Sequence, residues 1–281
     1  MNLLCLNGSF LPADQPVLQA NNRGFRYGDG LFETMRMVNG SIPLWDLHFH
    51  RLISGMGLFK LPPPLRFEES YLLNLILTLC RQNGVATNAK LRFSVFRGNG
   101  DLQSPDDYSQ FLIEATAIEP FFRQLPVSGL SIDIYMEGKK NLDGFSNLKS
   151  SNFHPYLMAS LYSREIGCDD CLVLNAKGHI ADSTIANVFL IRKGLIITPS
   201  LAEGGIAGVM RMYLLEKLRS MPTGYEVREG VVTKSDLDVF DEVFLTNAVQ
   251  GLRWVERYRD KVYSNEAGSR IFQSIVRPLF E

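Results

Sequence analysis

No apolar run in the 281 residues approaches the roughly 20 that a bilayer-spanning helix needs, so no membrane span is expected. Neither charge sign is in excess: 29 Lys and Arg stand against 30 Asp and Glu, a formal net of −1. That balance argues against the clustered basic surface by which nucleic-acid-binding proteins follow phosphates. The opening stretch Met1-Asn2-Leu3-Leu4-Cys5-Leu6 has no positive segment and breaks at Asn7-Gly8. It reads as a strand entering a tight turn rather than a secretory leader, and the expected location is the cytoplasm. Cysteine is scarce. Of the four, Cys168 and Cys171 form a lone C-x-x-C, while Cys5 and Cys80 supply no second pair. A structural zinc site is therefore not expected, nor any other metal. The C-x-x-C spacing suits a redox dithiol, but its place beside Leu172-Val173-Leu174 favours ordinary thiols next to an apolar strand.

What is there is the pattern of a globular chain, with an ordinary apolar fraction of 46%. The length allows one large domain or two modest ones. Asn7-Gly8 and Asn39-Gly40 predict hairpin turns, the second joining strands over 31–38 and 41–44. Helical spacing predicts helices over 45–58 and 67–82, the latter through Leu72, Leu73, Ile76, Leu77 and Cys80. Paired strands are predicted over 90–97 and 110–118. Residues 119–129 contain two prolines and little periodicity, which marks a domain boundary. Beyond it, short strands are predicted over 131–135, 171–175, 187–191, 195–198 and 242–246. Helices over 151–164, 209–220 and 265–277 interrupt them, the last capped by Ser264 and stopped by Pro278. Without a regular βαβ rhythm, this half reads as a mixed α+β barrel or sandwich.

Three features bear chemistry. Gly204-Gly205-Ile206-Ala207-Gly208 opens directly into the helix at Val209, and a helix opened by glycines presents free backbone N–H groups and a positive dipole end to an anion. Arg51 adds a cation suited to phosphate. Lys149 lies in a polar stretch between a strand and a helix, and an amine there becomes a nucleophile only if desolvated or set beside another cation or a cofactor. Asp182 follows the turn at Lys177-Gly178; alone, it would be a turn residue capping local N–H groups.

The chain as a whole resembles the class IV aminotransferase family, the fold-type IV pyridoxal-phosphate (PLP) enzymes. Their members include branched-chain aminotransferases, D-amino acid aminotransferases and 4-amino-4-deoxychorismate lyases. The resemblance runs through Asn7-Gly8, the stretch from Asn22 to Thr34, His48-Phe-His-Arg-Leu52, Lys149 and Gly178-His-Ile-Ala-Asp182-Ser. It continues through Ala186-Asn-Val-Phe189, Thr198-Pro199, Gly208-Val-Met-Arg211 and the stretch from Glu242 to Val249. No one piece is decisive; their number, order and spacing are.

The resemblance implies a small N-terminal α/β domain, residues 1–120, and a larger α+β pseudo-barrel domain, residues 121–281, carrying the PLP lysine. It implies a homodimer and a small-molecule amino substrate. By position, Lys149 is the Schiff-base lysine and proton carrier, and Arg51 the phosphate arginine. The backbone N–H groups of Val209 and Met210 form the phosphate turn, which agrees with the glycine-and-dipole argument. Tyr156 is the tyrosine that bonds the cofactor's ring oxygen. Asp182 takes the place of a glutamate that pairs with the pyridine nitrogen, a contact that the shorter side chain makes looser or water-mediated.

The same resemblance implies two reactions. A transaminase moves the α-proton to the cofactor and leaves an oxo acid. The lyase expels pyruvate and aromatises a ring to 4-aminobenzoate, a folate precursor. Thr34, matching a lyase threonine that assists proton transfer, and Thr246-Asn247-Ala248-Val249 lean towards the lyase, with Asn247 and Ala248 at the substrate-carboxylate loop. The run Arg97-Gly98-Asn99-Gly100-Asp101 lacks the arginine that lyases and D-amino acid transaminases often carry next. Arg92 and Arg97 are the substitutes expected for it. A branched-chain-type transaminase is the alternative reading, and a catalytically inactive PLP-binding relative a more distant one that the retained Lys149 opposes.

Overall fold

The computed structural model describes residues 2–222 and 224–281, which divide into two units. One holds the chain up to Phe121 together with Lys149–Asn152; the other holds Phe122–Leu148 and Phe153–Glu281. The division falls at Phe121/Phe122, beside the expected boundary. Lys149–Asn152, however, packs with the first unit, whereas the sequence placed Lys149 in the larger second domain. Four residues of local sequence carry no signal of which unit will capture them.

The first unit contains β1 (Leu3–Leu6), β2 (Ser9–Pro12), α1 (Arg23–Tyr27), β3 (Gly30–Val38), α2 (Trp45–Leu58), α3 (Glu69–Gln82), β4 (Asn88–Arg97) and β5 (Ser109–Ala117). Its five strands form an antiparallel sheet in the order β2-β1-β5-β4-β3. Asn7 and Gly8 turn β1 into β2 with φ of 51° and 90°, the left-handed pair that a two-residue hairpin requires. Because side chains alternate along a strand, Leu31, Met35 and Met37 share one face with Leu91, Phe93, Val95, Phe111 and Ile113. α2 and α3 pack on the sheet, α3 burying Leu72, Leu75, Ile76, Leu79 and Cys80. Each of these leucines and the isoleucine contributes about 1.5–3 kcal/mol by leaving water. The second expected hairpin is only half formed. Asn39 and Gly40 make the turn, but a single bridge, Val38 to Ser41, follows. Pro43 has no N–H to continue a ladder, and Leu44 at φ 58° turns the chain into α2.

The second unit contains β6 (Leu130–Lys140), α4 (His154–Glu165), β7 (Asp170–Asn175), β8 (Ile180–Ser183), β9 (Asn187–Arg192), β10 (Leu195–Pro199), α5 (Val209–Ser220), β11 (Glu226–Gly230), α6 (Asp236–Val239), β12 (Glu242–Asn247), β13 (Gly251–Tyr258), β14 (Lys261–Val262) and α7 (Glu266–Ile271). Its mixed sheet runs β11-β10-β9-β12-β13-β6-β7-β8, with β14 on β13. β6 lies parallel to both β7 and β13, and β10 parallel to β11. Ile134, Leu172, Leu174, Val188, Leu190, Val243 and Val255 belong to one core cluster. Tyr135, Cys171 and Val173 form another with Tyr156 and Ala159 of α4. β8, β11 and β13 were not predicted. They are short or interrupted by charged residues, and pairing partners rather than local pattern make them strands. The C-terminal helix departs from expectation as well. Its cap residue is Asn265, not Ser264, and after α7 the chain loosens into a π turn at Phe272–Val276 and tightens into a 3₁₀ turn at Arg277–Phe280. These adjustments keep Ile271, Phe272, Ile275, Val276 and Phe280 buried. Cys168 and Cys171 place their sulfurs 3.8 Å apart, and burial pushes both thiols up. Among the described residues no helix is long and apolar enough to cross a membrane.

Candidate active site

β3 is an edge strand of its sheet, and an edge presents unpaired backbone groups to any segment that can meet them. Residues 149–151 do so. Phe32 N–H donates to Lys149 O at 3.0 Å, Ser151 N–H donates to Gly30 O at 2.9 Å, and Leu31 and Ser150 form a bridge. This pairing sets Lys149 opposite Phe32, and its Nζ sits 4.5 Å from the centre of the Phe32 ring. The Arg92 guanidinium carbon lies 3.9 Å from the same ring. Thr34, two residues on from Phe32 and paired across to Arg92, shares this sheet face. The structure thus groups Lys149, Thr34 and Arg92 around one aromatic residue.

Arg97 is elsewhere. Its Nε donates to Asp29 Oδ2 at 3.0 Å, and its Nη groups reach the carbonyls of Phe59 and Lys60 at 3.1–3.2 Å. Asp29 also holds Arg23 at 2.9 Å. Arg97 therefore ties β4 to the end of α2, which corrects its expected place as a substrate cation.

Arg51 rises from α2 to the other sheet face, where Glu33 meets it. Arg51 Nε donates to Glu33 Oε1 at 2.8 Å and its Nη2 to Oε2, while His48 Nδ1 is 2.7 Å from Oε2. Burial by itself would raise the Glu33 carboxyl. The charge of Arg51, with hydrogen bonds from His48 and Arg51, outweighs it and holds the group at about 2. Burial pushes the His48 imidazole down against the pull of Glu33, with the charges of Arg51 and Lys149 acting in the same direction as burial. Glu33 and His48 received no role from sequence. The available signal was an acid in the core-facing phase Leu31, Glu33, Met35, Met37, which a buried strand tolerates only when paired.

In the second unit, α5 starts at Val209 with Gly208 as its cap residue and no side-chain cap, so the N–H groups of its first turn are available to an anion. Its position is tightly set. A Cβ on Gly208 would lie 1.9 Å from Asn187 Oδ1, and one on Gly205 2.6 Å from Ala181 O. Asn187 Nδ2 donates to Ile206 O at 2.8 Å, and Asn147 Nδ2 to Gly205 O at 2.7 Å. Arg211, buried in the first turn, donates to Pro199 O at 2.8 Å and to Glu229 at 2.6 Å.

Asp182 lies in β8 opposite Val173 and is 2% exposed. Its Oδ2 accepts from the Tyr156 hydroxyl at 2.8 Å and from Ile206 N–H at 2.9 Å. Burial, then the charge and hydrogen bond of Asp182, push the Tyr156 phenol well above its ordinary value. Lys140, at the end of β6, donates to the Tyr156 hydroxyl; sequence reasoning passed over it. Asn247 closes its own loop, its Oδ1 accepting from Val249 N–H at 3.0 Å and Gln250 N–H at 2.7 Å. That turn sets the backbone of Ala248 between them.

The donor set fits pyridoxal phosphate. An uncapped helix start suits a phosphate, a buried carboxylate joined to a phenol suits a pyridine ring with its oxygen, and a lysine beside an aromatic ring suits a carbonyl.

A family model described as amino-transferase class IV matches residues 30–258. An aminodeoxychorismate lyase of Bacillus subtilis is 27% identical over 273 residues, covering 95% of this chain and 90% of its own. A probable branched-chain-amino-acid aminotransferase of Thermotoga maritima is 34% identical over 265 residues, covering 94% and 90%. Among solved structures, the branched-chain aminotransferase of the thermophilic archaeon Thermoproteus uzoniensis, with norvaline, superposes with a TM-score of 0.86. It covers 99% of this chain and 95% of its own at 19% identity, and so shares the fold, that of the fold-type IV enzymes.

Proposed function

Since this chain belongs to the class IV aminotransferase family and is a PLP-dependent enzyme, we propose that it is a 4-amino-4-deoxychorismate lyase, which expels pyruvate and leaves 4-aminobenzoate. The observation that carries the reading is Thr34: its hydroxyl-bearing side chain shares a sheet face with Phe32, the residue on which the Lys149 amine rests. Bound PLP supplies the electron sink.

Lys149 is the nucleophile and the proton carrier. The Lys149 amine and the Arg92 guanidinium both face the Phe32 ring, and the amine attacks a carbonyl in its neutral form. Thr34 holds a proton for the departing group. Arg92 binds a substrate carboxylate, with the loop at Asn247 and Ala248 offering backbone N–H groups to the same class of anion. Arg51, oriented by Glu33, and the N–H groups of Val209 and Met210 hold the phosphate. Asp182 holds the pyridine nitrogen and Tyr156 the ring oxygen. The active form is a homodimer; the exposed Leu157 and Leu161 on α4 support it, and size-exclusion chromatography reads it directly.

The Thermotoga maritima relative, at 34% identity, favours a second reading, a branched-chain-type transaminase. Visible spectra of the purified enzyme separate the two. A lyase keeps its lysine-bound cofactor band in excess glutamate or branched-chain amino acid and releases 4-aminobenzoate from 4-amino-4-deoxychorismate. Conversion of that band to the pyridoxamine form, without 4-aminobenzoate release, refutes the lyase in favour of the transaminase.

A further inference from the structure

Lys140 ends β6 with a side chain only 8% exposed, and lysines are almost never buried without partners. Its Nζ donates to Ser146 O at 3.0 Å and to the Tyr156 hydroxyl. The same atom lies 3.9 Å from Asp182 Oδ2. Asp182 Oδ2 accepts the Tyr156 O–H. One phenol has one proton. With its oxygen accepting from Lys140, the hydroxyl turns that proton towards Asp182.

The other ionisable group acting on Lys140 is Asp143. Its carboxylate accepts from Phe145 N–H and Ser146 Oγ–H, both at 2.9 Å. That turn positions the Ser146 carbonyl that Lys140 meets. Burial lowers Lys140, and the charges of Asp182 and Asp143 oppose that fall. A chain of similar length without charge would fill the same space, so what lysine adds is the ammonium group.

We propose that Lys140 is a positioning residue of the cofactor site, fixing the direction of the Tyr156 hydroxyl and balancing the Asp182 carboxylate. Protonation of the cofactor is then set by three residues rather than by Asp182 alone. The proposal rests on the reading above only in taking Tyr156 and Asp182 as the cofactor's contacts.

Two measurements on the full-length chain test it. The first is thermal melting at pH 7 without added cofactor, for wild type, K140M, D182N and K140M/D182N. Loss of the ammonium removes the cation that faces the buried Asp182 carboxylate, so K140M melts about 5 °C lower. The double variant recovers most of that loss, because D182N removes the carboxylate charge that the ammonium balances. Additive losses overturn the proposal.

The second is a pH titration of the visible band of PLP-loaded enzyme. A nearby cation disfavours a proton on the cofactor, so K140M moves the midpoint up by about one pH unit, while K140R, which keeps the charge, leaves it in place. A coupled melting cycle with an unmoved midpoint makes the cluster purely structural and overturns the proposal. Absence of a lysine-bound band in wild type refutes the proposed function instead, and the melting cycle still decides whether Lys140 and Asp182 are coupled.

Discussion

Replacing Glu33 by Gln removes the carboxylate charge that bridges Arg51 and His48 while keeping the side chain's size. Glu33 is 3% exposed, so solvent screening is slight, and its carboxyl is held at about 2 against an ordinary 4.5. That gap corresponds to about 3 kcal/mol of stability. The sign follows from the depression. The contribution is complete above about pH 4.5 and is lost as pH falls towards 2. E33Q also breaks the ion pair of Arg51 with Glu33, and breaking a buried pair from one side costs about 3–5 kcal/mol. The expected result is a loss of about 3 kcal/mol at pH 7, or roughly 10 °C in Tm. The assay is urea unfolding followed by fluorescence, with Trp45 in the same helix as His48 and Arg51 as a reporter. The gap between wild type and variant should narrow as pH is lowered from 4.5. A gap below about 1 kcal/mol at pH 7, or one undiminished at pH 3, would refute the assignment of Glu33 as the anchor of this cluster.

T34V keeps the strand's shape and removes only the hydroxyl; it should lower kcat at least about tenfold with stability changed by less than about 0.5 kcal/mol, and an unaltered kcat removes Thr34 from proton transfer. G208A drives a methyl group to within 1.9 Å of Asn187 Oδ1; a loss of about 1–3 kcal/mol and weaker PLP retention on dialysis are expected, and a variant that retains PLP like wild type contradicts the phosphate-turn assignment. R97M should destabilise the chain by about 1–3 kcal/mol by leaving Asp29 and the Phe59 and Lys60 carbonyls short of a donor. Its KM should stay near wild type, and a KM raised tenfold with unchanged stability would return Arg97 to the substrate.

Much of the fold was legible because local periodicity and turn chemistry agree with the final structure. α2 and α5 fall at their predicted bounds, and the Asn7-Gly8 turn joins two paired strands. Legibility failed where partners rather than pattern decide. β13 carries Arg253, Glu256 and Arg257 and becomes a strand because β12 and β6 flank it. At the site, the glycine-led start of α5 was readable from sequence because free N–H groups at a helix terminus are a property of local geometry.

The sequence by itself determined the family and the uncapped helix that begins at Val209, and singled out Lys149 as the candidate nucleophile, since each depends on residue order and short-range chemistry. Tertiary structure alone decided which cations are spent on packing and which stand near Lys149: Arg92 and Arg97 are five residues apart on one strand, yet only Arg92 meets Phe32. It also decided the partners of buried charge. Glu33 with Arg51 spans 18 positions and Lys140 with Asp182 spans 42. The physical reason is common to both: an ion taken out of water must find its counter-charge wherever the chain brings one within a few ångströms, and no local pattern encodes that distance.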